Sequence, residues 1–381
     1  MKSSVALGDV AQFVNGAAFK PEDWGDEGLP IIRIQNLTDP SKPYNRTLRA
    51  VSDKLRVRRG DLLVSWSATL GVFTWDLDED GLLNQHIFRV LPDETKVDRA
   101  YLRFALNEAI GAMGQHLHGA TMQHVNRGAF IGTQMPLPSL PEQRRIAAIL
   151  DQADELRTKR RRALTLLDEL ADSLFTDMFW QGTSQSTFKE LSIAEACSVV
   201  VDCVNKTAPL SETPTEFKMI RTTNVRNMRV DISSVRYVDE ETFLRWNSRL
   251  TPRRGDVILT REAPAGEAGI LQSDDNVFLG QRLMLYRPDT QKLLPEYLLF
   301  ALMSPLVRMR FDRVASGSTV KHLSVPFCRS FELPIPEITL QAKFSVRING
   351  ISKTRELAER ASLEADELFA SLQHRAFRGE L

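Results

Sequence analysis

Three observations predict an α+β (mixed α/β) chain with a pseudo-two-fold internal repeat, in which two similar globular units are separated by an antiparallel pair of long coiled-coil helices. The first is Gln143–Phe179, a stretch with no glycine or proline. Its apolar residues Ile146, Ile149, Leu150, Ala153, Leu156, Ala163, Leu167, Leu170, Leu174 and Met178 recur at steps of three and four, which keeps one stripe on one helix face. The second is an echo at Leu340–Phe377, with Phe344, Ile348, Ile351, Ala358, Ala361, Ala365, Leu368 and Leu372 on its stripe. The third is that the two halves of the chain can be laid over each other.

Four matched blocks occur in the same order. Arg58-Arg59-Gly60-Asp61-Leu62-Leu63 returns as Arg253-Arg254-Gly255-Asp256-Val257-Ile258, and Tyr101–Leu106 returns as Tyr297–Leu302. Gly119-Ala120-Thr121-Met122-Gln123-His124-Val125 faces Gly317-Ser318-Thr319-Val320-Lys321-His322-Leu323, and Leu137-Pro138 faces Ile335-Pro336. The offset runs from 195 to 198 residues, so the chain reads as a tandem duplication with small loop insertions. Residues 14–57 and 199–252 match poorly. A shared frame with divergent loops suits two modules doing one job on two targets.

Taken in order, Pro30–Ile34 and Phe217–Arg221 alternate as strands do. Asp61–Trp66 and Asp256–Thr260 follow Gly-Asp turns and read as buried strands, with His86–Leu91 and Arg282–Tyr286 as a further pair. Val97–Met113 and Pro295–Phe311 carry helical spacing, and Gly119–Val125 and Gly317–Leu323 read as loops. Ser139-Leu140-Pro141-Glu142 reads as a capping box opening the first long helix. Gly182 lies beyond its end. About 37 residues make a rod of roughly 55 Å, and one apolar stripe on such a rod needs a partner helix. Gly350 near the start of the second long helix costs it about 1 kcal/mol relative to alanine. The expected boundaries are 1–138 and 182–336 for the globular units, and 139–181 and 337–381 for the helices.

The 381 residues suffice for two or three cores, and 43% hydrophobic with 26% charged residues are ordinary soluble values. No window is long and apolar enough for a membrane span, and MKSSVALGDV lacks a signal-peptide core. Three cysteines, Cys197, Cys203 and Cys328, fit neither a zinc site nor a disulfide framework. The expectation is a cytoplasmic protein with no membrane. Forty-nine basic residues balance 49 acidic ones, which argues against nonspecific coating of nucleic acid. The run Arg157–Arg162 is the densest basic cluster, and it reads first as a solvated helix face with acidic neighbours, phosphate contact being the alternative.

Catalytic constellations are absent from the sequence. There is no phosphate loop, no G-x-G-x-x-G after a strand, no Asn-Pro-Pro-aromatic motif and no nucleophile elbow. Pro92-Asp93-Glu94-Thr95-Lys96 places its acids side by side and reads as a polar turn. The histidines, His116, His118 and His124 among them, lack metal-ligand spacing. The expectation is a chain without catalytic residues, metal or cofactor of its own.

The succession of a divergent α/β unit, a Gly-Asp strand, a Tyr-Leu helix, a Gly-x-Thr loop and a long helix resembles the specificity subunit of type I restriction–modification systems. Pro138–Asp151 and the closing Ala376-Phe377-Arg378-Gly379-Glu380-Leu381 carry the resemblance most specifically. Thr339-Leu340-Gln341-Ala342-Lys343 departs from its counterpart Pro141–Arg145 by losing the glutamate. The resemblance implies that each globular unit is a target-recognition domain reading half of a bipartite, asymmetric site on double-stranded DNA. It implies a non-catalytic subunit whose paired helices hold the readers apart and dock two methyltransferase subunits, with ATP-dependent motor–nuclease subunits joining that core. S-adenosylmethionine, ATP and Mg are then expected on the partners. Other readings are an orphan or modification-only DNA-recognition protein and a protein-binding scaffold.

The DNA-facing candidates follow from residue type and place. Arg33, Gln35 and Asn36, with Arg221, Thr223 and Asn224, leave a strand end carrying donors and acceptors that suit base edges; the arginines read equally as solvated. Ser65, Ser67 and Thr69, opposite Arg261 and Glu262, occupy a divergent strand-to-loop junction. Gln85 and Gln281, candidates too, match between copies, which suits a shared role rather than sequence discrimination, and equally a buried hydrogen bond. Thr121, Gln123 and His124, with Thr319, Lys321 and His322, suit phosphate contact or loop stabilisation. Trp66 and Trp246 suit base stacking or core packing. For partner subunits the candidates are Gln143, Arg144, Ile146, Ile149, Leu150, Leu167, Leu170, Leu174, Phe344, Ile348, Leu368 and Leu372.

Overall fold

A computed structural model describes residues 4–67, 69–116, 127–180, 188–315 and 322–381. The chain divides into two compact units, Met1–Arg162 with Glu359–Leu381, and Ala163–Ala358. Each long helix therefore contributes one half to each unit.

In the first unit, among the described residues, Ala11–Asn15, Ile87–Pro92, Leu62–Ser65 and Gly71–Thr74 form an antiparallel sheet in that spatial order. A second sheet orders Arg46–Thr47, Leu29–Ile32, Gly81–Leu83 and Arg56–Val57, and its central pair is parallel, with Ile31 opposite Leu82. The second unit repeats the plan. Cys197–Asp202, Leu283–Pro288, Val257–Thr260 and Ala268–Ile270 pair antiparallel. Lys218–Ile220 runs parallel to Val277–Leu279 in a separate sheet. Residues 14–57 and 199–252, poorly matched in sequence, share the strand that runs parallel within the second sheet but diverge around it: the second segment adds Val225–Arg226 and Arg229–Val230 to the main sheet and a helix, Glu240–Trp246.

The matched motifs hold matching turns. Gly60 and Gly255 both adopt φ +88°, a left-handed conformation that side chains disfavour. The aspartate after each takes the backbone N–H two residues before that glycine, Arg58 to Asp61 at 2.7 Å and Arg253 to Asp256 at 2.8 Å. Each aspartate also meets a strand arginine, Arg89 with Asp61 at 2.8 Å and Arg287 with Asp256 at 2.8 Å. Tyr101 donates to the carbonyl of Pro136, and Tyr297 to that of Pro334. Both tyrosines are fully buried.

The long helices run Leu140–Phe179 and Ile338–Arg378, a few residues longer than their periodicity predicts. Glu142 grips Arg145 at 2.8 Å. Gly350 is tolerated because it faces open space. Ile146, Leu150 and Ala376 enter the first unit's core beside Phe88, Tyr101 and Phe104. Phe175, Phe179, Phe344 and Ile348 enter the second unit's core beside Tyr286 and Tyr297. Within the first unit, Asp366 of the second long helix binds Arg157 and Arg161 of the first, each at 2.8 Å. Within the second unit, Arg355 binds Asp168 at 2.6 Å.

Two elements depart from expectation. Arg99–His116 is one helix, but its counterpart is Pro295–Met303 followed by Pro305–Ala315. Pro305 disfavours helical backbone at Ser304 and so breaks the run. The strand expected through Ile34 stops at Ile32, because Arg33 caps a short helix, Ile34–Thr38.

Candidate nucleic-acid interface

The same four segments meet at one sheet edge in each unit. In the first, Gly16 N–H donates to Ile87, Ala17 N–H to Leu83, Asn84 N–H to Ile32 and Trp66 N–H to His86. In the second, Cys203 N–H donates to Leu283, Gly280 N–H to Ile220 and Arg261 N–H to Arg282. The frame is tight. A Cβ on Gly16 would lie 2.0 Å from the Asn84 carbonyl oxygen, and one on Gly280 2.6 Å from that of Ile220.

On this shared frame the side chains differ. In the first unit Trp66 stacks near-parallel on Phe88 at 5.7 Å, packs edge-on to His86 and donates to Asn15 Oδ1 at 3.3 Å. The Arg33 guanidinium lies 5.2 Å from the ring centre of the exposed Trp24, a cation–π arrangement that orients it. Gln85 is exposed, with its amide 3.1 Å from His86 Nε2. Gln35 and Thr69 are exposed as well. The second unit offers a charged cluster instead, with Glu262 3.0 Å from Arg282 and 2.5 Å from His322 Nδ1. Thr223 and Gln281 are exposed, and Arg221 is half-buried.

Several sequence candidates belong to the scaffold. Asn36 and Asn224 are each 3% exposed. Each accepts the N–H of the arginine three residues before it, and donates onward to Lys42 and Pro43 or to Ser234. They hold the turn that presents Arg33 and Arg221. Ser65 is fully buried and donates to the Thr69 carbonyl at 2.5 Å; Thr260 makes the matching bond to Pro264 at 2.6 Å. Ser67 and Arg261 are also buried. Arg261 donates to the Leu323 carbonyl. Trp246 packs half-buried against Phe243 and Phe278. Thr121, Gln123, His124, Thr319 and Lys321 lie outside the described residues.

The partner candidates need the same sorting. Ile146, Leu150, Phe344 and Ile348 are core residues of their own units. Gln143 is fully buried, accepting from Asp98 N–H and donating to Lys96 and Pro138. Gln341 repeats this with Leu294, Lys292 and Pro336. These glutamines lock each long helix to its own globular unit. Ile149, Leu167, Leu174 and Leu372 are half-buried, Arg144 is exposed 3.8 Å from Asp98, and Leu170 and Leu368 are exposed. In the basic run, Arg157 covers the Phe369 ring at 4.2 Å and binds Asp366 together with Arg161, so helix pairing engages these two, while Lys159 holds Glu155 of its own helix.

No group of metal-ligating side chains occurs among the described residues. The three cysteines are buried and free. Burial pushes the Cys197 thiol up to about 12, with Asp289 adding to the shift, and the Cys328 thiol up to about 11. Pro92–Lys96 is a turn in which Asp93 accepts from Thr95. No described helix is long and apolar enough to cross a membrane.

Residues 2–166 match the model of the type I restriction modification DNA specificity domain. The EcoBI type I restriction enzyme specificity subunit of Escherichia coli is 22% identical over 99% of this chain and 85% of its own. Over 99% of its length, then, the chain is similar to a type I specificity subunit. The MjaVIII specificity subunit of Methanocaldococcus jannaschii is 21% identical over 99% of this chain and 92% of its own length. Among solved structures, the S subunit of a type I restriction–modification system from M. genitalium superposes with a TM-score of 0.61 at 13% identity. That superposition covers 99% of this chain and 96% of the other. A chain from a study of type I complex assembly and conformational transition superposes at 0.54 and 15% identity, covering 100% and 98%. Specificity-subunit relatives thus share the duplicated α+β fold, including the half of the chain beyond residue 166.

Proposed function

We propose that the chain is the sequence-specific DNA-binding subunit of a type I restriction–modification system. Each unit reads one half of a bipartite, asymmetric site, and the chain directs methyltransferase and restriction subunits to it. The observation that carries this reading is the duplicated four-segment edge, one backbone frame that keeps Arg33 and Gln85 as Arg221 and Gln281 but bears Gln35, Trp66 and His86 in one copy where the other has Thr223, Arg261 and Arg282. Identical frames with unlike side chains suit two readers of different base pairs.

The chemistry is assigned to partners: S-adenosylmethionine on two methyltransferase subunits, ATP and Mg on motor–nuclease subunits. The long helices offer those partners exposed leucines. In the second unit these are Leu166, Leu170 and Leu357, and in the first Leu156, Leu363 and Leu368. Exposed large apolar residues grouped on one element suit a protein interface.

The test is methylation mapping of DNA from cells expressing the chain with its cognate methyltransferase. A single split motif with a fixed unspecified gap is expected. No modified motif, with the methyltransferase shown to be active, would replace this reading with that of a protein scaffold.

A further inference from the structure

The chain carries no net charge, so its DNA affinity must come from cations that the fold leaves unneutralised. Among the described residues between 4 and 139 these are the lysines Lys20 and Lys54, which hold no carboxylate, and two arginines, whose planar donors suit phosphate better. Between residues 4 and 139 every arginine except Arg33 and Arg127 holds a carboxylate within 3.1 Å. Among the described residues Arg33 and Arg127 hold none, and none of the residues outside the described set is acidic. Both lie at the four-segment edge. Arg127 is exposed, donates from Nη2 to the Phe13 carbonyl at 3.2 Å and sits 5.8 Å from the centre of the Phe88 ring. That is the ring on which Trp66 stacks. One N–H and one ring face orient the guanidinium, and among the described residues its other donors have no partner and can meet a ligand.

We infer that Arg127 is a phosphate-contacting residue that positions DNA on the first unit, one that nothing in the sequence motifs singles out. The inference rests on the DNA-recognition reading above. A fixed, exposed guanidinium with no carboxylate suits a phosphate oxygen, through charge-assisted and bidentate bonds. The duplication supports a role local to the first half-site. Position 127 corresponds to Val325 in the second unit, and Trp66 corresponds to Arg261. The second unit therefore has an apolar residue where the first has Arg127, and the arginine at its Trp66 position is buried in the frame rather than left for a ligand. An asymmetric site read by two copies of one frame needs such unlike positions.

The experiment measures binding of the full-length chain to a duplex bearing its mapped split motif, over a range of salt concentrations. Arg127→Gln should lower affinity about equally for matched and mismatched first half-sites and reduce the salt slope by about 1. Arg127→Lys should keep the slope, because the charge remains. Arg59→Gln, which breaks an exposed pair with Asp78, should leave the slope unchanged. An unaltered slope in Arg127→Gln, with an unaltered melting temperature, overturns the assignment. So does relaxed selectivity at one base pair, which would make Arg127 a base reader. Wild-type chain with no preference for the motif would instead refute the DNA-recognition reading itself.

Discussion

Asparagine 36 and asparagine 224 show how one residue type serves two ends. Their donors and acceptors match an adenine edge and a tight turn equally well, and only burial separates the two uses. Asn224→Ala should cost about 1–2 kcal/mol in denaturant unfolding, because it strips the Arg221 and Ser234 backbone groups of partners. The Asp256–Arg287 pair lies deeper, with Asp256 1% exposed. Asp256→Ala leaves Arg287 buried and uncompensated, and should destabilise the chain by about 3–5 kcal/mol in the same assay. The cysteines give a solvent-access prediction. With the Cys197 and Cys328 thiols raised to about 12 and 11 by burial, both should resist a thiol reagent at pH 8 and react once the chain is unfolded.

At the scale of elements, the long helices were legible from periodicity alone, because a 3.6-residue repeat over about ten turns outweighs any local preference. Which face meets which neighbour was not legible. Ile146 and Phe344 look the same in sequence as Leu170 and Leu368, yet the first two enter globular cores and the others stay at the surface. A pair of helices covers only a narrow seam, so residues beside that seam remain exposed wherever a globular unit does not cover them. Gln143 and Gln341 resemble surface residues in sequence and are buried locks in the structure. Gln341→Ala should destabilise the chain by about 2–3 kcal/mol, since it leaves the Leu294 N–H and two carbonyls unsatisfied. Asp366 links the helices within the first unit, and its hydrogen bond from Arg157, followed by that from Arg161, holds its carboxyl below the usual range. A lowered folded-state value means that the link stabilises above the ordinary carboxylate pKa and fades as pH falls through the lowered one. The gap in melting temperature between wild type and Asp366→Asn should therefore be present at pH 7 and close on acidification.

For the whole molecule, the duplication has a direct experimental consequence. Each long helix runs from one compact unit into the other. One heptad inserted into each helix adds about 10 Å of rise. In the proposed function this should lengthen the unspecified gap of the methylated motif by roughly two to three base pairs, given about 3.4 Å per step, and leave both half-sites unchanged. An unchanged gap would refute a ruler role for the helices.

The sequence by itself determined the duplication, the two long helices, the Gly-Asp turns and the resemblance to specificity subunits, since each is written in spacing or in matched residue types that survive without coordinates. It left the site half-resolved. Arg33, Gln35, Gln85, Thr223 and Gln281 stand at the four-segment edge, but Asn36, Ser65, Asn224 and Arg261 belong to the frame that builds it. Arg127 passed unnoticed, although the absence of any acidic residue between Glu108 and Glu142 was there to be read. The tertiary structure decided which polar groups are spent on the protein and which are left over. Burial and charge pairing depend on partners distant in the chain, such as Phe13 for Arg127 and Ser234 for Asn224, and no local pattern encodes those meetings.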